Sequence, residues 1–140
     1  MEYRQFGNCY VMRIDPGEEV LESIEQVCRS EDIRLGFAMG LGAANRAVIG
    51  LFDTVEKVYK KKEIAGPMEI SSLVGNISTK EGEIYLHFHI NLCDEQMNIH
   101  GGHLNSCHIS ATGEITIVKL EGTVERELSS EVGLNLYKFL

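Results

Sequence analysis

No stretch of this sequence is apolar enough to cross a bilayer: the longest run of uncharged apolar residues and glycine, Leu35 to Ala44, falls well short of the roughly 20 residues a spanning helix needs. There is no apolar N-terminal segment behind a basic one, so the chain reads as cytoplasmic, with no membrane association. The four cysteines, Cys9, Cys28, Cys93 and Cys107, form no Cys-X-X-Cys pair and no secreted-type framework. They are read as reduced, small hydrophobic residues. Positive charge is scarce, with 13 Lys and Arg against 21 Asp and Glu and a net charge of −8, which opposes a role that needs cations to displace counterions from a phosphate backbone. The one basic cluster, Lys57 to Lys62, alternates in the manner of an edge strand guarded against aggregation. No internal repeat or low-complexity segment is visible. The composition is that of an ordinary globular protein, and 140 residues read as one domain, 1–140, able to bury a core without disulfides or a structural metal.

Tyr3 to Ile14 reads as a first strand. Asp15-Pro16, followed by acidic residues, reads as a helix start with Asp15 as N-cap. Val20, Leu21, Ile24, Val27 and Cys28 repeat with the helical period, so the helix is expected to run to about Ser30 or Glu31 and to pack on a sheet. Gly40-Leu41-Gly42 does not support a dinucleotide loop, because Asn45 stands where the fingerprint has glycine and Ala47 to Phe52 is strand-like where a helix should open. A close approach of two backbones at a sheet corner explains those glycines better. From Ala47 onward the chain reads as strands joined by short turns, among them Ala65-Gly66-Pro67 and Ala111-Thr112-Gly113. The predicted fold class is α/β of the α+β type: a large, mostly antiparallel sheet or barrel-like pair of sheets with one principal helix outside. The tail, Leu134 to Leu140, is too apolar for a free end and is expected to dock on the core or on a neighbouring subunit.

All five histidines fall between Tyr85 and His108. His87 and His89 alternate with Leu86, Phe88 and Ile90 in a strand-like run, which puts both imidazoles on one face. If Asp94 to Asn98 is the turn of an antiparallel hairpin centred on Gln96, His103 lies opposite His89, and Cβ atoms of opposed residues are roughly 5 Å apart. His87, His89 and His103 then converge. A half-residue shift of the centre would bring in His100 instead, and Gly101-Gly102 could hold a bulge that changes the register. Three imidazoles with an open fourth position suit Zn²⁺. Cys93, roughly 13 Å along the strand from His89, is too distant to close the site. Histidines satisfied by backbone hydrogen bonds are the plainer alternative. Glu69, between Met68 and Ile70, is either an ordinary exposed strand residue or a carboxylate serving the metal site, as general acid or base or as the partner of a ligating imidazole.

Over nearly its full length the sequence resembles the PPC domain, the plant and prokaryote conserved domain. The resemblance rests on Gly40-Leu41-Gly42-Ala43, AVIGLFD from Ala47 to Asp53, PMEISSLVGNIS from Pro67 to Ser78, LHFHINLCD from Leu86 to Asp94 and GGHL from Gly101 to Leu104. It implies a large antiparallel sheet with one principal helix, a homotrimer, and a metal site on His87, His89 and His103. His100 and His108 receive no role from it. It also implies kinship in fold with acetolactate decarboxylase, which holds zinc for a lyase reaction with a comparable histidine set. Plant members join the domain to an AT-hook and are labelled DNA-binding, but this sequence has no Arg-Gly-Arg-Pro segment. They use the segment matching Gly66 to Leu73 for partner contact, which offers Glu69 an interface role. The expected protein is a homotrimeric zinc-site protein acting on a small oxygenated molecule. Its rivals are a non-catalytic module that regulates through protein or DNA contact, and a zinc ion that merely ties the sheet.

Overall fold

The structure, a computed structural model, describes residues 1–139. Two short strands, β1 (Glu2–Phe6) and β2 (Cys9–Ile14), form a hairpin turned at Gly7. The helix α1 (Val20–Ser30) follows, then the long strands β3 (Gly36–Asp53), β4 (Val58–Lys80), β5 (Glu83–Cys93) and β6 (Ile99–Lys119), and a final hairpin of β7 (Glu125–Leu128) and β8 (Asn135–Lys138). β3 pairs with β4 and β6, and β5 pairs with the same two strands, all antiparallel. These four therefore close on themselves like a barrel. β2 extends the sheet from β6, and β7 joins the end of β4 through a single parallel bridge, Thr79 to Glu125.

Alternation decides what is buried. In β5, Phe88, Ile90 and Leu92 point into the core, together with Leu73 and Ile77 of β4, Leu104 and Ile109 of β6, and Tyr10, Met12 and Ile14 of β2. On α1, Val20, Ile24, Val27 and Cys28 are wholly buried, as their spacing predicts.

The helix ends at Ser30 as expected, but its N-cap is Glu19, not Asp15. Gly17 takes a positive φ of 89° and turns the chain before the helix can begin. Glu19 then caps with one oxygen accepting from Glu22 N at 2.8 Å and the other from Cys107 N at 2.8 Å, tying the helix start to β6. Asp15 instead accepts from the terminal ammonium and from Arg13, each at 2.8 Å.

Two predicted turns are not turns. Ala65-Gly66-Pro67 lies within β4 and Ala111-Thr112-Gly113 within β6, while the glycines after Met39 lie within β3. Register shifts near Gly42 and Ala44 absorb the irregularity and let the strands bend while pairing continues. The close approach expected there is real: a Cβ on Gly42 would lie 2.2 Å from Thr112 O. Of the Lys57 to Lys62 cluster, Lys57 lies in the turn before β4 with a φ of 52°, while the residues from Val58 lie on a strand paired on one side, to β3, and Lys60 bonds Asp53 at 2.9 Å.

The hairpin between β5 and β6 has the register set by a turn centred on Gln96. Asp94 N donates to Asn98 O, and the Asp94 carboxylate accepts from the backbone N–H of Gln96 and Asn98, each at 2.9 Å. Its second oxygen lies 2.9 Å from His100 Nε2. The His100 bond, and then the Asn98 amide, hold the Asp94 carboxyl down at about 2, below the ordinary 3.8. A depressed carboxyl pKa stabilises the fold above the unfolded value, and that contribution is lost as pH falls through the folded one. Asp94→Asn is therefore expected to melt below wild type at neutral pH, with the gap shrinking between pH 3.8 and about 2. Thermal melting across that range checks it, and a gap independent of pH would show that the charge is not what holds the turn.

Candidate metal centre

The hairpin register places His103 directly opposite His89, with Gly102 opposite Ile90 and Gly101 opposite Asn91. No bulge interrupts it at the glycine pair. Those glycines are there because space is short: a Cβ would lie 2.2 Å from Asn91 Oδ1 at Gly101 and 2.7 Å from Gly50 O at Gly102. His87, His89 and His103 stand on the outer face of the sheet, opposite in direction to Phe88 and Ile90. Their ring centroids are 5.1 to 5.6 Å apart, and one nitrogen from each lies within 4.8 Å of the other two. Small side-chain rotations would bring all three onto a single ion.

The electrostatics suit ligands rather than cations. Burial, followed by the positive potential of His103, Arg126 and His89, pushes the His87 imidazole down to about 4. Burial and His89 also lower His103. Half-buried imidazoles are thus held neutral near pH 7, the form in which they ligate metals. Among the described residues, no other group of three or more histidine, cysteine or carboxylate side chains converges in this way. His100 is engaged by Asp94 at the turn, and His108 lies beside the start of α1, bridged to Glu19. Cys93 Sγ contacts Asp94 O and Met97 Sδ, away from the triad.

The histidines form the floor of a cavity of about 780 Å³. One wall is the far end of the β3–β4 hairpin, with Gly50, Leu51, Phe52 and Tyr59; the other is the C-terminal hairpin, with Arg126, Leu134, Leu136 and Tyr137. Of the apolar tail, Leu134 to Tyr137 therefore docks beside the site, Phe139 is exposed, and Leu140 lies outside the described residues. Tyr59 meets the His103 ring edge-on at 5.9 Å and accepts from Asn105 Nδ2 at 2.7 Å. Glu69 does not line this cavity. It is exposed on the same outer face, opposite Cys93, which lies four residues along β5 from His89, or roughly 13 Å along the strand.

Sequence reasoning did not find Tyr59 or Arg126. Tyr59 sits inside a lysine-rich edge strand, and Arg126 inside a short charged segment; only long-range pairing brings either to the histidines.

A closed antiparallel sheet carrying three convergent histidines on its outer face, beneath a C-terminal hairpin, defines the general class. The chain belongs to the family of the Plants and Prokaryotes Conserved (PCC) domain, which matches residues 1–121. Similar solved structures include a candidate DNA-binding protein from Bacteroides thetaiotaomicron, 30% identical with a TM-score of 0.96 over 99% of this chain and 96% of that one. Another is a metal-containing protein from Archaeoglobus fulgidus, 33% identical with a TM-score of 0.89 over 99% and 97% of the two chains. Acetolactate decarboxylase from Bacillus subtilis shares the fold at 18% identity and a TM-score of 0.57, over 86% of this chain and 57% of that one. No curated protein sequence matches the chain. No helix among the described residues is long and apolar enough to cross a membrane.

Gly50 supports the cavity wall by having no side chain. A Cβ there would lie 2.1 Å from Tyr59 Oη, so Gly50→Ala must expel Tyr59 from its place beside His103. Overpacking of this kind costs about 1 to 3 kcal/mol, and chemical denaturation is expected to show a loss of that size. Wild-type stability in Gly50→Ala would mean that Tyr59 is not held there.

Proposed function

We propose that the chain binds one Zn²⁺ ion on His87, His89 and His103 and acts on a small oxygenated molecule in the cavity above them. The observation that carries the reading is the convergence of three imidazoles at the floor of a chamber large enough for a metabolite. Imidazole is a borderline ligand that suits zinc, and three protein ligands without a fourth is the composition of a catalytic site rather than a closed structural one. Zinc in such a site supplies Lewis-acid polarisation of a substrate oxygen. The chain's own residues hold the three imidazoles in place through the hairpin register, and Leu51, Phe52, Leu134 and Leu136 restrict bulk water. The metal-containing relative from Archaeoglobus fulgidus supports the same reading. The candidate DNA-binding relative favours the alternative of a DNA-associated regulator, but the net charge of −8 opposes it.

Purified protein is expected to carry close to one zinc per chain by elemental analysis. Alanine at His87, His89 or His103 should empty the site, whereas His100→Ala should leave the metal in place. Loss of metal in the His100 variant alone would overturn the ligand set.

The homotrimer belongs to the same proposal. Phe37, Met39, Leu41 and Val74 are exposed on the outer face, where Met39 pairs with Val74 and Val74 with His89. An apolar strip leading to the histidines favours packing of a second copy over it. Glu69 shares that face but is too far from its own triad, so a role as acid or base requires the triad of a neighbouring copy. Light scattering should report three times the 15.6 kDa chain mass, and Glu69→Arg should lower it at micromolar concentration. A monomeric wild type would sink both the trimer and the shared site, and an undiminished Glu69→Arg assembly would remove Glu69 from the interface.

A further inference from the structure

Arg126 is the only charged side chain that is buried among the described residues, at 8% exposure, and it faces the histidine cavity. Its guanidinium lies between the rings of Tyr137, at 4.3 Å, and Tyr85, at 4.7 Å. Nε donates to Ser78 Oγ at 2.8 Å and Nη1 to Asn135 O at 2.9 Å. Both acceptors are neutral, and among the described residues no carboxylate pairs with this arginine. A buried cation without a counter-ion is costly, and the aromatic faces offset only part of that cost. The bonds to Ser78 and Asn135 fix the fork, while Nη2 makes no hydrogen bond within the described chain and remains for a ligand. The lining contains no lysine, aspartate or glutamate. Arg126 is thus its one permanent charge, matched by a single negative group of planar shape, a carboxylate, more closely than by a phosphate dianion.

We propose that the cavity takes a small carboxylate, its carboxylate group held by Arg126 and a second oxygen turned toward His87, His89 and His103. This inference rests on the metal reading for the second oxygen but not for the carboxylate. Arg126 lies on β7, beyond the residues that match the family. Ligand choice and metal ligation are therefore carried by different segments of the chain.

The test compares lactate, its uncharged counterpart lactamide and inorganic phosphate by calorimetric titration of the full chain, both zinc-loaded and treated with chelator. Loss of a charge-assisted hydrogen bond weakens binding by about tenfold or more, so wild type should prefer lactate over lactamide by at least that factor. Arg126→Met should abolish the preference while retaining its zinc by elemental analysis. Because the arginine is buried, the wild-type Arg126 Nε resonance is followed as well and should shift as lactate is added. That shift decides the matter if Arg126→Met does not fold. Equal binding of lactate and lactamide, an unmoved Nε resonance, a preference that survives in Arg126→Met, or tighter binding of phosphate would each overturn the proposal. Zinc bound without a lactate preference defeats the carboxylate site alone. A lactate preference in a protein that holds no zinc defeats the metal reading alone.

Discussion

The geometry of the centre depends on the pairing register of β5 with β6. A strand has a side-chain period of two, so a slip by one residue would send His87 and His89 inward and Phe88 and Ile90 into the cavity. Burial of Phe88, Ile90 and Leu92 forbids that slip, but burial alone does not choose between registers two residues apart. The Asp94 turn makes that choice. Its carboxylate gathers two backbone amides and His100, which closes the loop at a length that sets Cys93 against Ile99 and therefore His89 against His103. His100, the other candidate for the third ligand, is occupied in holding the turn that excludes it.

The parts of the fold that were legible in the sequence are those with local causes. The helical face of α1, the alternation in β5 and the turn at Asp94 are each read from neighbours a few residues away. The extents of β3, β4 and β6 were not legible in the same way. Glycine permits a turn and a bulge equally, and what makes Gly66 or Gly113 a bend within a strand is a pairing partner far away in sequence, such as Gly42 opposite Gly113. The N-cap failed for a related reason. Asp15-Pro16 has the chemistry of a helix start, but Gly17 turns the chain first, and Glu19 is selected because it also satisfies the Cys107 amide on β6. Tyr59 and Arg126 lay beyond reach altogether, since neither carries a local pattern that marks it as facing a site.

Closing four strands on themselves uses the inner face of the sheet for the core, so chemistry is confined to the outer face. There the protein has two ways to keep water from the histidines: the C-terminal hairpin, which supplies Leu134, Leu136 and Tyr137, and the apolar strip of Met39 and Val74, which is left exposed in the single chain. The first is complete within one chain and the second asks for a neighbour. In the proposed assembly Glu69 would belong to the second arrangement, which would account for a carboxylate on the same face as the triad standing so far from it.

The charges in the cavity bear on one another. Arg126 and the crowding of three rings both act against protonation of His87, so the guanidinium helps keep an imidazole in its ligand form. The same guanidinium would repel a metal cation placed beside it, and no acidic side chain lines the cavity to offset the two. Two cationic centres facing one chamber are mutually destabilising until an anion lies between them. An anionic ligand would relieve that repulsion, so on the proposed reading binding of the ion and binding of the anion would be cooperative without any movement of the sheet. On that reading the C-terminal hairpin is more than a lid on the histidines, because the charge it carries would set which molecules complete the site.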